Sequence, residues 1–433
     1  MTRLTIVGSG IAAISAAIES AEKGAQVTIV RGRPGATALS SGAWDIAGCP
    51  TRHPGLKWRE VPTPAENTLE IVRRRPQHPY ALLAQTDEGV VALLEKAIQR
   101  LNHPFDFKLR GDLGKNYAVL NPLGGVKFTA FVDSSHAGGN LLEMREARLL
   151  ILGIRGLPTF FPQGMALFLK ELHERQGFPH LASIDSSEIT LPLPLSSPIA
   201  AAKQLDTDES MESLYKILMK EAERFHPTHV ALPPVIGIQK TDLLLSRLRE
   251  VSGIAWFETL GLPPSVPGLR LQNQIDRLLA RFPGEVINGE VVGAVKKGKK
   301  VVSIQIQNNE KKEESAVDRL LLATGRYIGG GVVKEKSFRE PILDLPLFSE
   351  GTQVSEIFVG KLLKDHFLDP HPLFSVGTRT NPFLQPVGER GEVLYENVWV
   401  AGSLIGGYNP ATDHCGMGVA IGTGTLAGRM ASS

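Results

Sequence analysis

The chain has 433 residues, of which 42% are hydrophobic and 21% are charged, and its 47 basic residues nearly balance its 45 acidic ones. This length allows one large core or two to three smaller ones, whereas the charge balance argues against a nucleic-acid-binding protein that relies on a large basic surface. The sequence has only two cysteines, Cys49 and Cys415, which argues against a disulfide framework and a self-contained iron–sulfur site.

Hydropathy places the chain among ordinary globular proteins. No segment approaches the roughly eighteen uninterrupted apolar residues of a membrane span, and the mean hydropathy is -0.03. Residues 4–8 are too short for the apolar region of a signal peptide and lead directly into glycines. We therefore expect no membrane-spanning segment, and the scarcity of cysteine fits a reducing compartment.

The first thirty residues predict a βαβ unit. Leu4–Val7 has the composition of a short buried strand, and Gly8-Ser9-Gly10 ends it. An alanine-rich helix is predicted from Ile11 to Lys23, and Gln26–Val30 predicts a second, parallel strand. This order is typical of a nucleotide-binding fold.

The middle of the chain predicts further alternation of helices and strands. Residues 32–80 are rich in Gly, Pro and Ser and predict a loop region of the active-site type. The segments after it follow helical or strand periodicity. They are a helix at Val90–Leu101, a strand at Arg148–Ile154, a helix at Met165–Arg175, and a strand–helix pair at Val230–Ile238 and Leu243–Val251.

The last third predicts a hairpin and two strands that end in small-residue turns. Alternating runs flank a Lys/Gly turn within residues 291–307, as in a β-hairpin. Leu320–Gly325 and Val398–Gly402 are apolar strands followed by glycine, and a glycine-rich helix is predicted from about Met417 to Met430.

Gly8, Gly10 and Ala13 form a GxGxxA dinucleotide fingerprint. The first glycine permits the tight turn, and the second lets the backbone approach a phosphate. The alanine allows close packing of helix and sheet, while the free N–H groups at the helix start favour an anion. A glycine-rich turn without a ligand is the alternative, but the flanking strand, helix and second strand favour a nucleotide.

The end of the second strand departs from the usual form of this motif. An acidic residue normally binds a ribose hydroxyl there, whereas this sequence has Arg31, followed closely by Arg33. Positive charge suits a phosphate better than a ribose diol. The dinucleotide is then bound in a modified way, or the ligand is a flavin mononucleotide with its phosphate near Arg31; an exposed Arg31 without contacts is the alternative.

Three later clusters follow in the chain order that flavoproteins of this fold use, and together they favour a flavin. Serine hydroxyls and a close glycine backbone suit the groups around the flavin ring and its ribityl chain, and a serine after the last strand provides a weaker form of the usual aspartate hydrogen bond. The predicted binding residues in these clusters are Ser40, Ser41, Gly42, Thr324, Gly325, Gly402, Ser403, Gly406 and Gly407. A second nucleotide fingerprint is missing, since Gly329–Gly331 lacks the required spacing, so nicotinamide reduction is disfavoured.

These patterns predict an α/β protein with a Rossmann-like FAD/NAD(P)-binding flavoprotein fold and an inserted α/β domain. The nucleotide domain is expected to be discontinuous, with residues 1–50 and 285–433. Residues 51–284 are expected to form the inserted α/β domain and the active-site loops.

The sequence also resembles a particular family, the flavoprotein B subunits of the anaerobic glycerol-3-phosphate dehydrogenases. The similarity covers most of the chain and is concentrated in a few segments, of which those at 262–274 and 339–348 are more specific than the glycine motifs. The segments are SSGAWDIAG from Ser40, HPYALL at 78–83, LPPSVPGLRLQNQ at 262–274, REPILDLPLF at 339–348, NVWVAGSLIGGYNP at 397–410 and CGMGVA at 415–420. Residues 105–145 and 350–385 match the family poorly, and Asp413-His414 is unusual for it.

The resemblance implies a subunit that oxidises sn-glycerol 3-phosphate to dihydroxyacetone phosphate. It implies FMN as cofactor, whereas the fold alone predicts FAD. It also implies two partners, a larger FAD-containing catalytic subunit and an iron–sulfur subunit that anchors the complex to the membrane and passes electrons to quinone. Such a complex is cytoplasmic and lies at the inner face of the cell membrane through its partners.

Oxidation of a secondary alcohol with a phosphate group requires a base and cationic groups. His414, beside the C-terminal glycine turn, is the candidate base, and Arg270 and Arg339 are the candidate cations. A structural role is the alternative for each of them. Two rival functions remain open for the chain as a whole: a flavin subunit that only relays electrons, and a flavin-free scaffold. No metal site is predicted.

Overall fold

A computed structural model describes residues 2–48, 61–191, 195–309, 311–366 and 369–433. Its α-helices alternate with strands over much of the chain. They are α1 (Ile11–Glu22), α2 (Pro64–Arg74), α3 (Pro79–Leu83), α4 (Gly89–Asn102), α5 (Pro162–Gln176), α6 (Pro198–Gln204), α7 (Asp208–Phe225), α8 (Thr241–Ser252), α9 (Val266–Leu279), α10 (Pro410–Asp413) and α11 (Gly416–Ser432). None of the helices in these ranges is long and apolar enough to cross a membrane.

The strands of three or more residues form parallel sheets, an antiparallel meander and short hairpins. They are β1 (Arg3–Val7), β2 (Gln26–Arg31), β3 (Tyr117–Leu120), β4 (Val126–Thr129), β5 (Ala147–Ile154), β6 (Leu181–Ile189), β7 (His229–Leu232), β8 (Ala255–Glu258), β9 (Glu285–Asn288), β10 (Glu290–Lys297), β11 (Lys300–Asn308), β12 (Lys311–Ala316), β13 (Arg319–Leu322), β14 (Leu347–Ser349) and β15 (Val398–Val400).

The principal sheet has five parallel strands in the order β9-β2-β1-β13-β15. Its central strands are apolar runs, and Leu320, Leu321 and Leu322 are fully buried because the sheet is covered on both faces. The predicted βαβ unit and the two later strands are confirmed. Residues from both ends of the chain therefore meet in one sheet.

Helices α1 and α11 pack closely against each other. A Cβ atom at Gly424 would lie 2.3 Å from the Ala12 carbonyl oxygen, and one at Gly428 would lie 2.5 Å from that of Ala16. Only glycine allows the two backbones to approach this far. The predicted C-terminal glycine-rich helix is confirmed, and its glycines serve helix packing.

A second parallel sheet has the order β8-β7-β5-β6. Its hydrophobic core consists of residues between Ala118 and Val266. This span is narrower than residues 51–284, which were expected to form the inserted α/β domain and the active-site loops. Apolar side chains of α2, α3, α4 and α9 pack instead with the core of the five-stranded sheet. Amphipathic helices join whichever sheet offers an uncovered face, and sequence periodicity does not specify which one.

The prediction of a loop region at 32–80 is wrong in part, because α2 begins at Pro64. The Thr63 hydroxyl accepts a hydrogen bond from the Glu66 amide, and the Glu66 carboxylate accepts one from the Thr63 amide. This capping box starts a mostly polar helix, whose low content of apolar residues hides it in the sequence. Residues 49–60 of the predicted loop, including Cys49, lie outside the described residues.

The predicted hairpin at 291–307 is confirmed. Strands β10 and β11 pair antiparallel around a turn at Gly298, and β12 extends them into a three-stranded meander. The predicted strand at Val230–Ile238 is shorter than expected: β7 ends at Leu232, before Pro233 and Pro234, because proline has no N–H group to donate to a sheet.

Candidate dinucleotide-binding site

The ends of β1, β13 and β15 lie side by side at the carboxyl edge of the five-stranded sheet. Each strand is followed by a glycine-containing turn, at Gly8–Gly10, Ala323–Gly325 and Ala401–Ser403. Ligands of open α/β sheets bind at this edge. Topology therefore brings together three clusters that are separated by up to several hundred residues in the chain.

The turn after β1 leaves no room for a side chain. Gly8 has a φ of +120°, and a Cβ atom there would lie 2.4 Å from the Ala323 carbonyl oxygen. Gly10 is the N-cap of α1 and provides no side-chain cap; the Ile11 amide instead donates a hydrogen bond of 3.3 Å to the Thr37 hydroxyl. The dipole at the start of α1 and the main-chain donors that Thr37 does not occupy are consequently suited to an anion.

A cavity of about 660 Å³ lies over these turns. Eight of the predicted binding residues line it. They are Gly8, Gly10, Ser40, Ser41, Thr324, Gly325, Gly402 and Ser403. Its volume is within the range of small-molecule sites, which is about 300–1,000 Å³.

Other predicted binding residues lie outside the cavity lining. Ala13 is fully buried within α1. Gly42 packs on His136, since a Cβ at Gly42 would lie 2.3 Å from the Cε1 atom of that ring. Gly406 packs against the backbone at Gly377, and Gly407 faces a different cavity. These four residues therefore do not form the surface of this cavity.

Arg31 does not face the cavity either. Its guanidinium lies 2.7 Å from the Asp276 carboxylate of α9, and the residue is absent from the cavity lining. Arg31 is therefore placed neither to bind a ligand phosphate in this cavity nor as a side chain without contacts, the two roles that the sequence suggested for it. Arg33 does line the cavity, and its guanidinium lies 3.6 Å from the carboxylate of Glu290.

Arg270 lies in a buried polar network outside the cavity. Its guanidinium binds the carboxylate of Glu258 and the carbonyl oxygen of Gly237. Burial acts to raise the pKa of Glu258, but the charge and hydrogen bonds of Arg270 outweigh it, so that the pKa lies below its ordinary value. An arginine engaged in this way is not available to a substrate phosphate.

Arg339 is also placed away from the cavity. It lies on a short strand, its side chain is 44% exposed, and its guanidinium is 3.2 Å from the carboxylate of Glu335. Arg339 follows the glycine turn at Ala323–Gly325 closely in sequence, but it does not line the cavity at that turn.

His414 does not line the cavity, but it is linked through Lys127 to Asp45, which does. The ammonium of Lys127 is 3.4 Å from the Nδ1 atom of His414 and 3.0 Å from the carboxylate of Asp45. Burial, followed by the nearby Lys127 charge, lowers the pKa of His414, so the imidazole is neutral near pH 7. Asp45 lines the cavity, and it connects the cavity to Lys127 and His414.

Two cavity residues beyond the predicted set have unusual environments. The fully buried Arg326 guanidinium donates to the carbonyl oxygens of Ser403, Phe374 and Ile405. Asp45 has a buried carboxylate oxygen without a hydrogen-bond partner among the described residues, and so does the hydroxyl of Thr324. Arg326 directly follows Gly325 in sequence and Asp45 lies three residues after Gly42, and this proximity to predicted binding residues is the signal by which they could have been found.

A second cavity, of about 890 Å³, adjoins the first. The segment after β15 separates them, because Tyr408 and Pro410 face the first cavity while Gly407, Asn409 and Ala411 face the second. Its ionisable lining residues are mostly acids and histidines. They are Arg75, His78, Glu350, Asp369, His371 and Asp413.

His78, Asp413 and Cys415 are close enough to resemble a metal site, but the hydrogen bonding of His78 argues against one. Its Nδ1 atom accepts a hydrogen bond of 3.0 Å from the Tyr80 amide, and burial lowers the pKa of the ring to about 3. The neutral ring consequently carries its proton on Nε2, the atom that faces Cys415 at 3.5 Å and Asp413 at 3.9 Å. A protonated nitrogen is a donor and cannot bind a cation.

The residues of the first cavity fit a flavin dinucleotide. The start of α1, where Gly10 provides no side-chain cap, suits a pyrophosphate, and neither Gly8 nor Gly10 places a side chain at the turn that lines the cavity. The buried oxygen of Thr324 without a partner suits a polar ligand group. The chain thus offers a site for the phosphates and for the hydroxyls of the ligand.

Comparison with known proteins bears on this site. The model of a family described as FAD binding domain matches residues 4–419. This match confirms the predicted Rossmann-like flavoprotein fold, and it indicates FAD, the alternative in the sequence-based prediction, rather than FMN. Among solved structures, the 3-ketosteroid-Δ4-(5α)-dehydrogenase of Rhodococcus jostii RHA1 aligns with 100% of this chain and 97% of its own, at 12% identity and a TM-score of 0.41, values too low to carry an argument about function.

Curated relatives align along nearly the whole chain. The B subunit of the anaerobic glycerol-3-phosphate dehydrogenase of Actinobacillus pleuropneumoniae serotype 5b is 27% identical over 435 residues, which cover 97% of this chain and 96% of the relative. The protein of the same name from Vibrio cholerae serotype O1 is 26% identical over 442 residues, with coverages of 97% and 94%. The resemblance predicted from the sequence is confirmed by these relatives.

Proposed function

Since the chain belongs to the FAD binding domain family, we propose that it is a FAD-dependent oxidoreductase subunit that oxidises sn-glycerol 3-phosphate to dihydroxyacetone phosphate. The observation that carries the flavin part of the proposal is the start of α1, where Gly10 provides no side-chain cap, beside Gly8 at the cavity where three strands end. The substrate part is supported by the names of the curated relatives.

When FAD is bound, it supplies an acceptor for the hydride of the carbon that carries the alcohol. The chain must then accept the hydroxyl proton, and Asp45 is the proposed acceptor because the residue lines the cavity and its carboxylate has a buried oxygen without a partner among the described residues. Lys127 forms an ion pair with Asp45, and His414 in turn contacts the ammonium of Lys127. In this proposal His414 positions the acid–base group and does not touch the substrate.

Electron transfer onward requires partners. We propose that the reduced subunit passes electrons to a partner chain, which delivers them to quinone through an iron–sulfur subunit at the membrane. This chain has only two cysteines, fewer than the four that commonly hold one cluster. The names of the relatives, which call them subunits, support an assembly of several chains.

An electron-relay function, without substrate oxidation in this chain, is the second candidate. The negative charge of the second cavity favours it, because this cavity is a poor site for a substrate phosphate. Arg75 is the only lysine or arginine among the described residues that line this cavity, and its guanidinium lies 2.7 Å from the carboxylate of Asp413. Glu350 and Asp369 add further negative charge. A phosphate dianion is poorly accommodated there. If the first cavity holds only FAD, the substrate is oxidised in a partner chain.

Two measurements test these proposals. Mass determination of the cofactor released from the purified chain is expected to give FAD, and an absent flavin would leave only the scaffold function. Anaerobic mixing of the flavin-loaded chain with glycerol 3-phosphate is expected to bleach the visible absorbance of the flavin. Bleaching that occurs only when the partner chain is present would assign the chain to electron relay.

A further inference from the structure

The carboxyl end of β2 lacks the acid that usually binds the ribose of a dinucleotide. Arg31 occupies this place, and its side chain is directed to α9 by the ion pair with Asp276. Asp276 cannot replace the missing acid, because its carboxylate also accepts a hydrogen bond of 2.9 Å from the side-chain amide of Gln272 and because it does not line the cavity. A different residue must provide the carboxylate if the chain binds a dinucleotide by its ribose.

The neighbouring strand brings another acid to the same edge of the sheet. Strand β9 runs parallel to β2, with Asn288 opposite Arg31, and the Gly289 amide donates a hydrogen bond of 3.0 Å to the Arg31 carbonyl oxygen. The chain then continues past the end of β2. Both Gly289 and Glu290 line the cavity as a result.

Asp45 and Glu290 are the acids among the described residues that line this cavity. Asp45 is held by Lys127, and its carbonyl oxygen accepts a hydrogen bond from the Gly418 amide at the start of α11, the helix that follows β15. Glu290 lies beside β2, at the other side of the sheet. The two carboxylates therefore face different ends of a ligand that spans the carboxyl edges of the strands.

We propose that Glu290 accepts hydrogen bonds from the two hydroxyls of the adenosine ribose and thereby selects FAD over FMN. This inference rests on the proposed function. A carboxylate is an acceptor without a proton, which matches a diol with two donors. FMN lacks the adenosine portion, so the contact contributes to the binding of FAD alone.

The contact between Arg33 and Glu290 leaves the carboxylate available. Their closest atoms are 3.6 Å apart, beyond hydrogen-bond distance, and both side chains are more than half exposed. Exposed pairs of this kind contribute little to stability. The ribose hydroxyls therefore displace at most a weak interaction.

The test compares FAD and FMN affinities of the apoprotein by calorimetric titration. Glu290→Gln keeps the size of the side chain and removes its charge, and it is expected to weaken FAD binding about tenfold while FMN binding is unchanged. Glu285→Gln is the matched control: Glu285 lies on β9, outside the cavity lining, where its carboxylate accepts a hydrogen bond of 3.1 Å from Thr28. This variant is expected to bind both flavins like the unmodified chain.

The outcomes separate this inference from the proposed function. If the unmodified chain binds FAD and Glu290→Gln binds it equally well, the role of Glu290 is wrong and the flavin function stands. Equal weakening of FAD and FMN also overturns the inference, because it indicates a change in the cavity as a whole. If the unmodified chain binds neither flavin, the proposed function fails, and the role of Glu290 fails with it.

Discussion

The guanidinium of Arg270 and the carboxylate of Glu258 form an ion pair in the interior of the protein, with a hydrogen bond of 3.0 Å between Nη2 and Oε1. The side chain of Glu258 is fully buried, and that of Arg270 is 13% exposed. The Ile236 amide donates a further hydrogen bond of 2.8 Å to the same carboxylate. The pair joins α9 to β8.

Arg270→Leu is expected to destabilise the protein by about 3–5 kcal/mol, because it leaves the Glu258 charge buried without a partner. The free energy of unfolding in urea is the measurement. The double variant Arg270→Leu with Glu258→Gln should recover part of the loss, since no buried charge remains. A stable single variant with a raised KM for glycerol 3-phosphate would instead support Arg270 as a substrate ligand.

Gly10→Val is expected to abolish flavin binding while the chain still folds. A Cβ atom at Gly10 meets only the Thr37 hydroxyl, at 3.0 Å, so that valine extends into the cavity where the ligand phosphates are expected. The ratio of flavin to protein in the purified variant is the measurement.

A suitable control for this variant is Gly293→Ala. Gly293 lies in the β10–β11 hairpin outside the cavity lining, and its added Cβ would meet only the end of the flexible Gln305 side chain, at 3.3 Å. The control should retain its flavin. A folded Gly10→Val protein with a full complement of flavin would contradict the assignment of the site.

Arg31→Gln is expected to leave FAD and FMN affinities unchanged, because the guanidinium faces Asp276 and not the cavity. The loss of this partly exposed ion pair should cost no more than about 1 kcal/mol of stability. Titration of the apoprotein with each flavin is the measurement. A marked loss of FMN affinity would restore the phosphate-binding role that the sequence pattern predicts.

Asp133 and His136 are expected to give opposite dependences of stability on pH. Burial raises the pKa of Asp133 to about 7, so its contribution to stability falls as the pH rises from about 4 to about 7. Burial lowers the pKa of His136 to about 4, so its contribution rises with pH from about 4 to about 6.5. The two dependences largely cancel in the unmodified chain.

Single substitutions should reveal each dependence. Relative to the unmodified chain, Asp133→Asn should become more stable as the pH rises from about 4 to about 6.5, and His136→Gln should become less stable, each with a slope of at most about 1.4 kcal/mol per pH unit. Urea unfolding at several pH values provides the free energies. Variants whose stabilities run parallel to that of the unmodified chain would show that neither group titrates in this range.

Local patterns in the sequence determined much of the fold. The strand Leu4–Val7, the glycine turn after it and the helix from Ile11 depend on residue spacings within one or two turns of chain, and all are present as predicted. The same holds for the hairpin at 291–307. Eight of the predicted binding residues line the cavity, and their role in binding stays a prediction. Backbone conformation at a glycine turn is a local property, and the sequence therefore reveals it.

Only the tertiary structure decided which charged groups face the ligand. Arg31 and Arg270 have suitable chemistry, yet each is paired with an acid from another element of the fold. Arg339 is paired locally with Glu335, four residues before it. Glu290 reaches the cavity because β9 pairs with β2, although the two strands are more than 250 residues apart. The acid with which a long basic side chain pairs depends on which elements pack beside it. For Arg31 and Arg270 the spacing of residues along the chain therefore does not predict the partner.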